Sequence, residues 1–145
     1  MYFKKNVRTC GAIRALTAMA GLAAAPALIA DNLQGADRLL CAPESINICP
    51  VGEACYSARP EELNLPRFIV VDLKQKSLST TEASDRKRLT PVETVTDVGN
   101  LIYLQGNENG RAFSFIIDRD GGRMSSAVAR IDSNLSGFGA CTPTQ

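Results

Sequence analysis

Two dipeptides, Asn109-Gly110 and Asp120-Gly121, punctuate the strand-prone stretch from Leu101 to Cys141, and they constrain this chain more than anything else in it. Both are residue pairs that accept positive φ at the two central positions of a tight hairpin turn. Turns centred there pair Leu101–Gly106 with Arg111–Asp118, and that strand in turn with Arg123–Ile131. Side chains alternate across a strand, so each turn also fixes which residues share a face. Ile102, Leu104, Phe113, Phe115, Ile117, Met124 and Val128 then fall on one face, with the Phe113 ring opposite Gly106. A third turn, Asp132-Ser133-Asn134 with Asn134 in the left-handed position, adds Phe138 to that large-residue face.

The opposite face carries small side chains: Ala112, Ser114, Ser125, Ala127, Ala129, Gly137 and Gly139. Such a face is either a solvated outer surface or a flat one that another layer can approach closely. It is the candidate binding face of the chain.

Ahead of this meander the chain opens with a different kind of segment. Lys4, Lys5, Arg8 and Arg14 precede any acidic residue, and Ala15–Ala30 is an uncharged, alanine-rich run ending in small residues. That is the pattern of a secretory signal peptide, with cleavage expected after Ala27 or Ala30. The run is short for a membrane-spanning helix and is interrupted by Pro26. Residues 1–30 are therefore read as a signal peptide and 31–145 as a single β domain, periplasmic or secreted, with no transmembrane segment after cleavage. Four of the 16 basic residues leave with the signal, so 12 basic face 15 acidic residues, a net charge of about −3. This balance argues against nucleic acid as a partner.

Four cysteines follow the signal: Cys41, Cys49, Cys55 and Cys141. An even number in an exported chain reads as two disulfides, with three connectivities open in principle. Pro50 and Gly52 make a local Cys49–Cys55 bridge easy, which leaves Cys41 to join Cys141 and tie the first strand to the last. The rival, a zinc site, would have to be all-cysteine because the chain has no histidine, and the spacings do not match paired C-x-x-C knuckles.

The middle of the chain continues in the same style. Pro60 and Pro66 bracket a loop or single helical turn, and Phe68–Leu73 is strongly β-prone. Lys74-Gln75-Lys76 turns into the polar strand Ser77–Thr81. Glu82–Leu89, with the basic triplet Arg86-Lys87-Arg88, reads as an exposed loop. Pro91 opens a strand Val92–Val98, and Val98-Gly99-Asn100 turns into the meander. No amphipathic helix longer than a few residues is present. The expected fold is all-β, an antiparallel meander of seven or eight strands, disulfide-stapled, forming a curved sheet or a small up-and-down barrel. Lipocalin-like and streptavidin-like barrels share this plan as architecture alone.

The stretches NLPRFIVVDL, LQGNENGRAFSFIID, GRMSSAVA and FGACTP, together with the three-cysteine region before them, resemble a group of small exported proteobacterial proteins of unknown function. The likeness covers most of the chain after the signal. It implies export and a β fold, and it carries over no catalytic or binding residue.

Catalytic chemistry has few footholds in this sequence. The absence of histidine removes the usual general base, the serine triad and the commonest metal ligand. No glycine-rich phosphate loop opens a helix. The carboxylates Glu108, Asp118 and Asp120 sit near turns, where acidic residues serve solubility and turn geometry, and Asp118 with Asp120 lacks the spaced ligand set of a calcium loop. No enzyme, cofactor or metal is expected. The expected function is that of a protein-binding module, an inhibitor or accessory protein acting on another periplasmic or secreted protein. The alternative is a carrier of a small apolar ligand in a barrel interior. Phe113, Phe115, Phe138 and Met124 argue against the carrier, being large enough together to fill a small barrel.

Overall fold

The computed structural model describes residues 32–144, so the expected signal peptide lies outside the described residues. The domain is all-β and antiparallel. Its strands are β1 (Arg38–Pro50), β2 (Tyr56–Ala58), β3 (Ile69–Asp72), β4 (Ser77–Thr80) and β5 (Leu89–Pro91), followed by β6 (Thr94–Val98), β7 (Leu101–Glu108), β8 (Arg111–Asp118), β9 (Arg123–Ala129) and β10 (Ser133–Pro143). A single 3-10 turn, Pro60–Leu63, lies between β2 and β3. The pairing order is β5-β4-β3-β1-β10-β9-β8-β7-β6, with β2 attached to β1, and the sheet curls into a half-barrel.

Around the curl this is the order of an up-and-down barrel, and its two edges are consecutive pieces of chain. The expected strand Val92–Val98 is broken because the chain changes partners there. Pro91 pairs with Ser77 on β4, whereas Thr94 pairs with Gln105 on β7. In the step between, Val92 donates its N–H to the Lys76 carbonyl at 2.8 Å and Glu93 donates to the Gln105 carbonyl at 2.9 Å. This division, with the short β2, raises the strand count above the expected seven or eight.

The first and last strands meet at the middle of the sheet. β1 pairs with β10 from Leu39–Pro143 to Pro50–Ser133, and Cys41 lies directly opposite Cys141. The two are bonded, as are Cys49 and Cys55. Both expected disulfides form, and they point to an oxidising, extracytoplasmic environment. A bulge between Pro43 and Ser45 inserts one extra residue into β1. It lets Cys41 and Ile46, five residues apart, face the same side, where alternation alone would oppose them. Pro43, which has no N–H for a ladder, sits at this irregularity.

The first two hairpins of the meander keep the expected registers, one of them through a different turn. Asn109 and Gly110 adopt φ of 50° and 75°, and Gly106 lies opposite Phe113. A Cβ at Gly106 would fall 2.6 Å from the Phe113 ring, so the bare backbone is what seats the phenyl group. At the next turn Asp120-Gly121 is not the left-handed pair. The connection spans Arg119–Gly122 with positive φ only at Gly122, closed by Gly122 N–H to the Asp118 carbonyl at 2.9 Å. Its centre is unchanged, so Ile117 still faces Met124.

The third turn differs in a way that matters. Arg130 N–H bonds the Ser133 carbonyl at 2.9 Å, so the chain reverses at Ile131-Asp132 instead of Asp132-Ser133-Asn134. Leu135, not Phe138, stands opposite Val128. The shift is three residues, an odd number, and an odd slip exchanges the faces of a strand. Leu135, Gly137, Gly139 and Cys141 therefore turn inward, and Phe138 is 59% exposed on the outer face.

The core lies on the concave side. Leu39, Val71, Ile102, Leu104 and Ile117 are almost fully buried, with Cys41, Phe113, Phe115 and Met124 packed among them. Each such side chain contributes about 1.5–3 kcal/mol by leaving water. Leu33, 0% exposed, closes one end. Its N–H bonds the Arg119 carbonyl at 2.8 Å, and the Arg119 guanidinium bonds the Leu33 carbonyl at 3.2 Å and pairs with Asp97 at 2.7 Å.

Candidate functional site

The end of the half-barrel opposite Leu33 is open. The strand directions place several connections there, among them the 81–88 loop, the Asn109-Gly110 turn, the Ile131-Asp132 turn and the loop after Pro50, whose Val51 N–H bonds the Asp132 carbonyl at 2.9 Å. Beneath them is a cavity of about 140 Å³. Its apolar wall comes from both halves of the sheet: Ile69 and Leu78 from β3 and β4, and Phe113, Phe115, Val128 and Leu135 from β8 to β10. The two rings meet edge to face, with centroids 6.0 Å apart. Alternate residues of β8 and Leu135 of β10 reach it because the inward parity of each strand is set by its turn. The outward turn of Phe138 matters here, since it removes one of the four side chains expected to fill the interior.

The rim of the cavity is polar and mostly cationic. Arg88, Arg111 and Arg130 line it, with Glu108 as the carboxylate among them. Glu108 accepts from Arg111, from Arg88 at 3.2 Å and from the Thr90 hydroxyl at 3.1 Å. Its side chain is only 17% exposed, and the Arg111 hydrogen bond, helped by Thr90 and the nearby guanidinium charges, holds its carboxyl below the usual glutamate range against the opposing effect of burial. Arg130 is exposed, and its guanidinium has no ion-pair partner among the described residues. The rim thus carries more positive than negative charge.

Arg86 and Lys87 of the basic triplet are exposed as expected, while Arg88 is half-buried. Lys87 donates to the Thr81 and Glu82 carbonyls, holding the loop closed, and Arg88 N–H bonds the Thr80 hydroxyl at 3.1 Å while its head group turns to Glu108. A wider cleft, about 500 Å³, continues from the cavity past Arg67 and Arg86, sharing Arg88, Thr80, Leu65 and Pro66 with it.

The residues singled out from sequence divide between three places. Ala112, Ser114, Ser125, Ala127 and Ala129 share the outer face, in register as Ala112–Ala129 and Ser114–Ala127. Gly137 and Gly139 do not belong to that face; they point inward, Gly137 buried and Gly139 half-buried, because of the odd register shift described above. In their place the outer face presents Phe138, across Ser125 from Ile116, which is 38% exposed. The four cysteines form the two bridges and stay out of the cavity.

The carboxylates do not converge. Asp118 is at the far end of β8 from Glu108, paired with Arg123 at 3.1 Å, which holds its carboxyl below the usual aspartate range, and it also accepts the Asp120 N–H. Asp120 accepts from Gln34 at 3.0 Å and from Asn100. No group of three or more histidine, cysteine, aspartate or glutamate residues able to hold a metal occurs among the described residues. No helix among them is long and apolar enough to cross a membrane.

Sequence reasoning missed the cavity. Glu108 and Arg111 flanking Asn109-Gly110 were a legible local pair, but Arg88 and Thr90 reach Glu108 across 20 and 18 residues of sequence that no local pattern connects. No family model matches the chain, and no curated protein and no solved structure is similar to it.

Proposed function

We propose that this is an exported, non-enzymatic binding protein whose ligand is a small apolar molecule, held in the cavity at the open end of the half-barrel. Export rests on the signal-like segment 1–30 together with the oxidised cysteines, and the periplasm is the compartment that suits both. The observation that carries the ligand reading is a largely apolar cavity of about 140 Å³, open to solvent, at the end of the half-barrel away from Leu33. Such a volume is close to that of an engineered cavity of roughly 150 Å³ that stays dry and takes up benzene.

Octan-1-ol is a suitable probe, followed by NMR shift changes on the oxidised full chain. Saturable shifts confined to Phe113, Phe115, Val128 and Leu135 are expected. Leu135→Trp, which fills the cavity from a half-buried position, should abolish them while the protein still melts cooperatively. No saturable shifts in the wild type, or shifts that persist in Leu135→Trp, would sink the reading.

A second reading, a protein-binding module, is favoured by one specific observation. Ile116 and Phe138 stand out from a flat field of Ala and Ser on the convex face, flanking Ser125. Apolar side chains exposed in such a field are what a protein contact covers.

A further inference from the structure

The cavity wall and its rim call for different chemistry, and together they specify more than an apolar ligand. We infer that the ligand is an amphiphilic anion: a chain or ring of about six carbons seated against Phe113, Phe115 and Leu135, with an anionic oxygen head group held by Arg130 and Arg88 at the rim. This inference rests on the cavity being the binding site.

Three guanidinium groups line the opening and one carboxylate answers them. Glu108 is already engaged by Arg111, Arg88 and Thr90. Those bonds fix Arg111 in place at 18% exposure and leave Arg130 unpaired among the described residues. A neutral ligand would leave this charge unanswered. A cationic head would meet like charge at close range, which disfavours binding. A carboxylate or phosphate emerging from the cavity meets guanidinium groups suited to planar, charge-assisted hydrogen bonding. The adjoining cleft of about 500 Å³, lined by Arg67 and Arg86 as well as Arg88, gives the head group room and a charged path in, although Glu61 and Asp85 also border it.

The test compares octanoate, octyl phosphate, octan-1-ol and octylammonium on the oxidised full chain at pH 7 by isothermal titration calorimetry. One or both anions should bind at least tenfold more tightly than the alcohol, the ammonium most weakly of all, and the preference should shrink with added salt. Whichever anion is preferred identifies the head group as carboxylate or phosphate. Arg130→Gln and Arg88→Gln should each bring the preferred anion's affinity to within about threefold of the alcohol's. Equal affinity for alcohol and anions in the wild type would overturn the head-group inference and leave the apolar-ligand reading standing. Absence of binding by all four would overturn both.

Discussion

Glu108 is the residue on which the rim depends. It joins Arg111, its neighbour across the Asn109-Gly110 turn, to Arg88 and Thr90 from a distant part of the chain. Hydrogen bonds to a charged group at low exposure are worth more than those at the surface, about 1.5–3 kcal/mol each. Because its carboxyl is held below the ordinary value of 4.5, the folded state keeps the charge where the unfolded chain has begun to take up a proton. Its contribution is therefore complete above pH 4.5 and is lost as the pH falls through the lowered folded value. Glu108→Gln is expected to cost about 1–2 kcal/mol at pH 7, measured by urea denaturation. The gap between wild type and variant should narrow steadily below pH 4.5. A gap that stays constant with pH would mean the carboxylate's charge is not what ties Arg88 and Arg111 together.

The same logic of partners, applied to whole strands, explains what was legible in the sequence. Registers of the β7–β8 and β8–β9 hairpins followed from turn dipeptides, because a hairpin's centre fixes every pair beyond it. The β9–β10 turn was expected at Asp132-Ser133-Asn134, yet the chain reverses at Ile131-Asp132, a choice that only contacts distant in sequence decide. One such contact was available: Cys141, once bonded to Cys41 inside the sheet, forces Gly139, Gly137 and Leu135 inward and Phe138 outward. The glycines then acquire a reason. A Cβ at Gly139 would fall 2.3 Å from the Ala42 carbonyl beside the β1 bulge. Gly139→Ala is accordingly expected to destabilise by about 1–3 kcal/mol, as overpacking does. Phe138→Ser, on the exposed side of the same strand, should change stability by less than about 0.5 kcal/mol. Thermal denaturation of both variants checks the face assignment, and the reversed order of costs would restore the register with Phe138 inside. The cavity was illegible for a related reason, since its wall draws on five strands whose juxtaposition no single turn encodes.

For the molecule as a whole, the seam between β1 and β10 is the critical joint. β3–β5 hang from one side of it and β6–β10 form the other, and the cavity takes Ile69 and Leu78 from the first group and Phe113, Phe115, Val128 and Leu135 from the second. The Cys41–Cys141 bridge spans 100 residues of sequence, whereas Cys49–Cys55 spans six. Chain entropy assigns about 4.7 kcal/mol to the long closure and on the order of 2 kcal/mol to the short one, with measured values commonly lower. Replacing Cys41 and Cys141 together by alanine should therefore lower the urea midpoint in non-reducing buffer by more than the Cys49/Cys55 double replacement does. It should also weaken octan-1-ol binding, because the two walls of the cavity are then joined at the seam by backbone hydrogen bonds alone. The short bridge, outside the cavity, should leave that affinity within about twofold. Equal losses of stability from the two double variants would mean that the long β1–β10 ladder already restrains the chain ends, with the cystine adding little to what its hydrogen bonds achieve.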